Sequence, residues 1–311
     1  MAKHRALIIG AGRIGSGFGW MPTSYVYTHA DAYLALKDRV ELVGFVEPDP
    51  GRLECAGAKY GGSDGFKTFR TLEPALAELK PDVVSICTQP AERAVPLALC
   101  NQIAGIRYFW CEKPLALLDV PIDTHIQVNY WRRFEPMHRQ IKDKLEAGDY
   151  GEIVRLVVCA KRDVHTVCHF TDLALWWGVS PAKFTYCDVP ASDFTTCEYT
   201  LYTTTRVLRF KAGGALMAVD EGYRSTIFPG MRLPLCKRSK GWSPIFMTEA
   251  LSNLMDAMEG IAPLKSPPAG AIEAEAWADE ILNPPLLYKY KTYISGTNIA
   301  SGSYTPFTGY P

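Results

Sequence analysis

The chain has 311 residues, 48% of them hydrophobic, with 33 basic and 33 acidic side chains. That length allows about two domains with packed cores, and the balanced charge excludes a global field that would attract nucleic acid or an anionic membrane. No apolar run approaches the ~20 residues of a membrane span, and the start, Met1-Ala2-Lys3-His4-Arg5-Ala6-Leu7, enters a strand pattern without the apolar stretch of a signal peptide.

Residues 5–10 form a short apolar run ending in glycine, and residues 40–46, 82–87 and 108–111 form three more. Helical patterns lie between and after them at 28–38, 51–60, 73–79 and 91–104. Strands alternating with helices predict a parallel sheet covered on both faces. The first strand ends in Gly10-Ala11-Gly12-Arg13-Ile14-Gly15, placed where a dinucleotide fingerprint belongs. Its glycines let the backbone approach a pyrophosphate, whose charge amide N–H groups at a helix start can meet. A plain tight turn is the bland alternative. Gly17, Gly19 and Pro22 follow and disfavour a long helix, so a short or broken first turn is expected, with a helix starting near Thr28, a good N-cap. The second strand runs into Glu47, placed to accept the adenosine ribose hydroxyls and to repel a 2′-phosphate. This favours NAD over NADP, with Arg52 close enough to keep NADP open.

The strand at 108–111 leads into Glu112-Lys113-Pro114. Ligands of such sheets bind outside the carboxyl ends of the strands, so Lys113 points its ammonium toward a nicotinamide, and a cis bond to Pro114 would aim it sharply. Only about eleven residues separate Pro114 from the strand pattern at Ile126. Either the crossover is minimal or residues are missing from the chain. The nine cysteines are scattered, odd in number and without a Cys-x-x-Cys pair. They read as reduced thiols of a cytoplasmic protein.

In residues 164–177, Val167, Phe170, Leu173, Ala174 and Trp177 recur at helical spacing. His165, His169 and Asp172 then share one face. A metal site using these with Cys168, two packed histidines, or an acid–base group are the three readings. Cys168 points away from His165 on a helix, which strains a metal set. A helix N-terminus disfavours imidazolium and leaves a neutral ring able to accept a proton. Tyr130, Arg133, Lys161 and Arg162 sit at strand ends around the same mouth, suited to sugar hydroxyls, a carboxylate or a phosphate. Residues 197–224 alternate as strands, helices are expected near 246–259 and 271–281, and the Pro-, Tyr-, Gly- and Ser-rich tail from about 283 reads as a surface extension.

Taken in order, residues 10–15, Val83-Val84-Ser85-Ile86-Cys87-Thr88-Gln89-Pro90, Glu112-Lys113-Pro114, residues 129–136, residues 148–153 and His169-x-x-Asp172 resemble the glucose–fructose oxidoreductase/inositol dehydrogenase (Gfo/Idh/MocA) family over most of residues 5–180. The resemblance implies an α/β chain with an N-terminal Rossmann doubly wound parallel sheet, assigned to 1–118, and a C-terminal α+β domain, assigned to 119–311. The second domain's open, mostly antiparallel sheet builds homodimers or homotetramers in the family. The resemblance also implies hydride transfer between NAD(P) and a carbinol carbon of a sugar, polyol or nucleotide sugar. Lys113 and His169 are then catalytic, with His165 beside them. The expected cofactor set is Gly10, Gly12, Arg13, Ile14, Gly15, Glu47, Thr88, Gln89, Pro90 and Glu112. The expected substrate set is Tyr130, Arg133, Arg162 and Asp172, with no metal. Departures keep two rivals open. His165 stands where the family often has an aspartate, and the loop before it is short. A non-redox NAD-binding regulatory protein and an NAD-dependent hydrolase are the alternatives.

Overall fold

The computed structural model describes residues 3–19, 25–61, 66–116, 123–189, 197–211, 213, 216–224, 232–241 and 245–283. Strands β1 (His4–Ile9), β2 (Val40–Val46), β3 (Lys67–Phe69), β4 (Val83–Ile86), β5 (Tyr108–Cys111) and β6 (His125–Val128) form one sheet in the order β3-β2-β1-β4-β5-β6. Every neighbouring pair is parallel. The strand order reverses between β1 and β4, which opens a ligand crevice at the carboxyl ends. Helices α1 (Arg13–Ser16), α2 (His29–Ala35), α3 (Pro50–Tyr60), α4 (Leu72–Leu79) and α5 (Ala94–Ala104) connect the strands.

Side chains alternate along a strand, and here both faces are buried. Leu7 and Ile9 pack with Val84, Ile86, Phe109 and Ile126 on one side. Ala6 and Ile8 pack with Phe45, Val83 and Trp110 on the other. The first helix is broken, as expected: α1 stops after four residues at Gly17, whose φ is 80°. The next helix starts after Thr28, whose side chain accepts from the Asp31 amide at 3.0 Å, a cap worth ~1 kcal/mol. Strand β3 was not anticipated; three residues at a sheet edge leave no readable period. Helix α5 starts later than position 91, because Pro90–Glu92 form a 3-10 turn. Residues 20–24, most of the β5–β6 crossover (117–122) and the tail from 284 lie outside the described residues.

The second sheet comprises β7 (Ile153–Ala160), β8 (Phe184–Asp188), β9 (Glu198–Thr203), β10 (Arg206–Lys211), β11 (Leu216–Arg224) and β12 (Arg232–Gly241), in the order β12-β11-β10-β9-β7-β8. Only β7–β8 is parallel; the other pairs are antiparallel. Helices α6 (Pro136–Glu146) and α7 (Val164–Trp177) cover one face, burying Ile141, Phe170, Leu173 and Trp177 against Leu156, Val158 and Ala160. Each large apolar side chain so buried contributes roughly 1.5–3 kcal/mol. The opposite face presents Arg155, Tyr202, Arg209 and Lys211 to solvent. Helices α8 (Phe246–Met258) and α9 (Pro268–Leu282) return toward the first sheet. Met247, Ala250, Leu251 and Leu254 of α8 join the core around Trp110, while Ala271 and Ala278 of α9 pack with Val167, Cys168 and Tyr130. No helix among the described residues is long and apolar enough to cross a membrane.

Candidate functional site

The glycine loop is shaped by close backbone approach. Gly10 has φ 97°, and a Cβ there would lie 2.9 Å from the Cys87 carbonyl; one on Gly15 would lie 2.1 Å from the Gly10 oxygen. Gly12 is different, since a Cβ there would meet only Arg52 Nη1, at 4.0 Å. The missing side chain at Gly12 therefore leaves the backbone open to close approach by a charged group, which fits a dinucleotide pyrophosphate. Arg13 is exposed and Ile14 half-buried beside it. Glu47 is buried, and its carboxylate accepts the Ala11 amide at 2.8 Å and the Asp49 amide at 3.1 Å. It braces the loop against the end of β2, and each oxygen keeps a lone pair for a ribose hydroxyl. Across the crevice, the Thr88 carbonyl accepts from Arg93 Nε at 3.2 Å and Nη2 at 3.0 Å. Arg93 Nη2 also donates to the Lys113 carbonyl at 3.3 Å, so one buried guanidinium ties the loop after β4 to the loop after β5. Gln89 is exposed and Pro90 half-buried at the start of that 3-10 turn.

Lys113 follows β5 directly and is joined to Pro114 by a cis bond. Its ammonium donates to the His165 carbonyl at 3.1 Å, which brings it to the first turn of α7. That turn is set by Asp163, whose side chain accepts from the Thr166 amide at 3.0 Å. His165 is exposed; His169, one turn further, is half-buried, with its ring edge-on to Tyr130 at 5.8 Å. Neither ring nitrogen of His169 has a hydrogen-bond partner among the described residues. Burial, then the Lys113 ammonium and Arg132, hold His169 well below the ordinary imidazole range. Partial burial and Lys113 lower His165 as well. The helix terminus accounts for little of this, since His169 lies beyond the first turn of α7, where that field fades. Burial and a nearby cation do the same work. Cys168, the thiol of the metal reading, is buried and donates to the His165 carbonyl at 3.7 Å.

Other expected ligand groups are engaged within the protein. Arg133 and Asp172 are buried and face each other, with Nε at 3.1 Å from both carboxylate oxygens and Nη2 at 2.7 Å from one. Arg162 donates to the Ile281 and Leu282 carbonyls at the end of α9. Lys161 is exposed and pairs with Asp163 at 3.3 Å. The Tyr130 hydroxyl donates to Glu275 at 3.3 Å, and burial pushes that phenol well above its ordinary value. Glu112 is buried, accepting from Asn129 Nδ2 at 2.6 Å and facing His29 Nε2 at 3.1 Å.

Three residues here escaped the sequence argument. Arg93 and His29 sit in no recognisable pattern. Glu275 of α9 accepts the Leu115 amide and, at 2.9 Å, the Ala116 amide, and thereby clamps the turn that follows Lys113–Pro114. Thr171 of α7 also donates to the Ala274 carbonyl at 2.7 Å. Helix α9 thus holds the lysine's turn and the histidines' helix against one support.

Residues 4–123 match the family described as "Oxidoreductase family, NAD-binding Rossmann fold". The chain is 30% identical over 176 residues to the rhizopine catabolism protein MocA of Rhizobium meliloti, covering 52% of this chain and 48% of that protein. It is 28% identical over 163 residues to an inositol 2-dehydrogenase of Corynebacterium glutamicum, covering 49% and 44%. The chain thus spans about half the length of the curated relatives it matches. Among solved structures it is similar to the UDP-N-acetylglucosamine 3-dehydrogenase GnnA from Acidithiobacillus ferrooxidans, with TM-score 0.66, 16% identity, and 89% and 96% of the two chains covered. It is also similar to the WlbA dehydrogenase from Bordetella pertussis in complex with NADH and UDP-GlcNAcA, with TM-score 0.64, 16% identity, and 90% and 96% covered. A super-repressor mutant of Gal80p from Saccharomyces cerevisiae matches with TM-score 0.67, 11% identity, and 90% and 95% covered. Identities this low show a shared two-domain fold.

Proposed function

We propose, from the match of residues 4–123 to the NAD-binding Rossmann oxidoreductase family and the partial likeness to MocA, that the chain is a Gfo/Idh/MocA-type NAD(H)-dependent oxidoreductase that moves hydride to or from a carbinol carbon of a sugar, polyol or nucleotide sugar. The observation that carries the reading is Lys113, held 3.1 Å from the His165 carbonyl beside a half-buried His169 at the carboxyl end of the parallel sheet. A bound nicotinamide supplies the hydride acceptor or donor. Lys113 hydrogen-bonds the substrate oxygen and stabilises its developing negative charge. His169, kept neutral and with no hydrogen-bond partner among the described residues, exchanges that oxygen's proton. His165, exposed at the mouth, gives the substrate a further hydrogen bond. NAD is the proposed cofactor, since the Glu47 carboxylate braces the loop where a 2′-phosphate would have to approach.

Following absorbance at the reduced-nicotinamide band across a panel of sugars, polyols and nucleotide sugars tests the activity. Turnover with any of them supports the proposal. Tight NAD binding with no turnover on the whole panel favours the second reading, a non-redox NAD-binding regulatory protein, motivated by His165 standing where an acid often stands. Titrating NAD(H) against NADP(H) tests cofactor choice; equal affinity removes the role given to Glu47. A homodimer or homotetramer built on the exposed face of the second sheet, working in the cytoplasm, completes the proposal.

A further inference from the structure

A buried polar chain runs behind Lys113, with two of its members on α2, a helix that the reaction scheme does not use. The Tyr33 hydroxyl lies 2.8 Å from Ser85 Oγ, Ser85 Oγ lies 3.0 Å from His29 Nδ1, and His29 Nε2 lies 3.1 Å from Glu112 Oε1. Asn129 Nδ2 donates to the same carboxylate oxygen at 2.6 Å. His29 and Ser85 are fully buried, and Tyr33, Asn129 and Glu112 are at most 6% exposed. His29 also lies against Trp110, with centroids 3.8 Å apart.

Hydrogen-bond accounting orders the chain. An ionised carboxylate only accepts, so His29 Nε2 carries the proton that faces Glu112. His29 Nδ1 then accepts from the Ser85 hydroxyl, whose oxygen accepts from Tyr33. Every proton has an acceptor, and the chain carries one negative charge at its Glu112 end. Burial alone would raise the Glu112 carboxyl; the hydrogen bond from His29, with the Lys113 ammonium and the Asn129 amide, outweighs it and holds the group below its ordinary value. Glu112 follows β5 directly, next to Lys113, at the strand ends where such sheets bind ligands. Lys113 and Arg93 place positive charge in the same region. By themselves they would repel an oxidised nicotinamide, which is cationic, and tolerate the reduced ring, which is neutral.

We propose that Glu112 is a fixed negative charge that offsets these cations and raises affinity for the oxidised over the reduced dinucleotide, with His29 as the positioning residue that holds it. The inference rests on the proposed NAD(H) site. Its test is the ratio of dissociation constants for NAD⁺ and NADH, measured by titration without substrate, with ADP-ribose as a probe that lacks the nicotinamide. Glu112→Gln should raise the NAD⁺/NADH ratio on the order of tenfold, the scale of one unit charge acting through protein, and leave ADP-ribose affinity unchanged. His29→Ala should move the ratio in the same direction while keeping the carboxylate. His29→Gln, whose amide can still donate to Glu112, should restore it. An unchanged ratio in Glu112→Gln and His29→Ala proteins that still bind ADP-ribose overturns the proposal. If Glu112→Gln loses ADP-ribose binding, the fold is damaged and His29→Ala decides alone. Wild-type protein that binds no dinucleotide refutes the cofactor site itself, a separate result.

Discussion

Replacing Asp172 with alanine separates a structural carboxylate from a substrate ligand. Asp172 is 1% exposed, and Arg133 opposite it is 7% exposed. Their contacts at 2.7–3.1 Å form a forked, charge-assisted pair. Arg133 keeps one other hydrogen bond, Nη1 to the Lys265 carbonyl at 3.1 Å, so Asp172→Ala strands a buried guanidinium. Breaking a buried pair from one side costs about 3–5 kcal/mol. At ~2.1 cal/mol/K of unfolding entropy per residue, each kcal/mol lowers the melting midpoint of a 311-residue chain by roughly 1.5 °C, giving a fall of roughly 5–8 °C. The double variant Arg133→Leu/Asp172→Leu strands no charge and should lie much closer to wild type. Calorimetry on the three proteins measures this, with the Michaelis constant recorded at a temperature where all are folded. An unchanged midpoint in Asp172→Ala, together with a raised Michaelis constant, would refute the structural reading and return Asp172 to the substrate.

Four further outcomes are expected. Lys113→Met and His169→Ala should each cut kcat by ~10²–10⁴-fold with NAD affinity nearly intact, and the double variant should lose far less than the product because groups acting as a unit are non-additive; steady-state kinetics with parallel NAD titrations checks both. Glu275→Ala frees the Leu115 and Ala116 amides and should lower kcat by up to about 10²-fold through misplacement of Lys113, leaving NAD affinity unchanged, with partial recovery in Glu275→Gln. The acid limb of the kcat–pH profile should lie below the ordinary imidazole range, because His169 resists protonation in the native state. The same depression means that neutral His169 supports stability above the unfolded imidazole pKa and that this support is lost as pH falls through the lower folded value, so the melting midpoint of His169→Gln should depend less on acid pH.

What was legible in the sequence followed local rules. Thr28 announces a helix because its cap is a contact three residues long, and the two glycines and proline after Ser16 announce a break for equally local reasons. The parallel sheet is legible because strands buried on both faces read as short apolar runs. Long-range pairing is not written this way. Arg133 and Asp172 each look like ligands for something polar, and nothing in either neighbourhood says that they meet across 39 positions. Glu275 is hidden more deeply: the spacing of Ala271, Ala274 and Ala278 signals a packed helix face, but not that a carboxylate beside it receives backbone amides from a turn 159 residues earlier. His29 at a helix start has no pattern at all, and its meaning comes from Ser85 of β4 and from Trp110 and Glu112 of β5 and its end, two segments distant in the sequence.

Helix α9 has a consequence for how the chain comes to life on the ribosome. Synthesis runs from the N-terminus, and early segments can fold as they emerge. The glycine loop and its Glu47 brace are made first, the histidine-bearing helix later, and Glu275 last of the three. On the proposed function, a nascent chain therefore has its dinucleotide loop well before it can fix Lys113. Vectorial synthesis leaves the turn after Lys113 unclamped until α9 docks, and a protease that clips α9 would spare the glycine loop while removing the support of that turn.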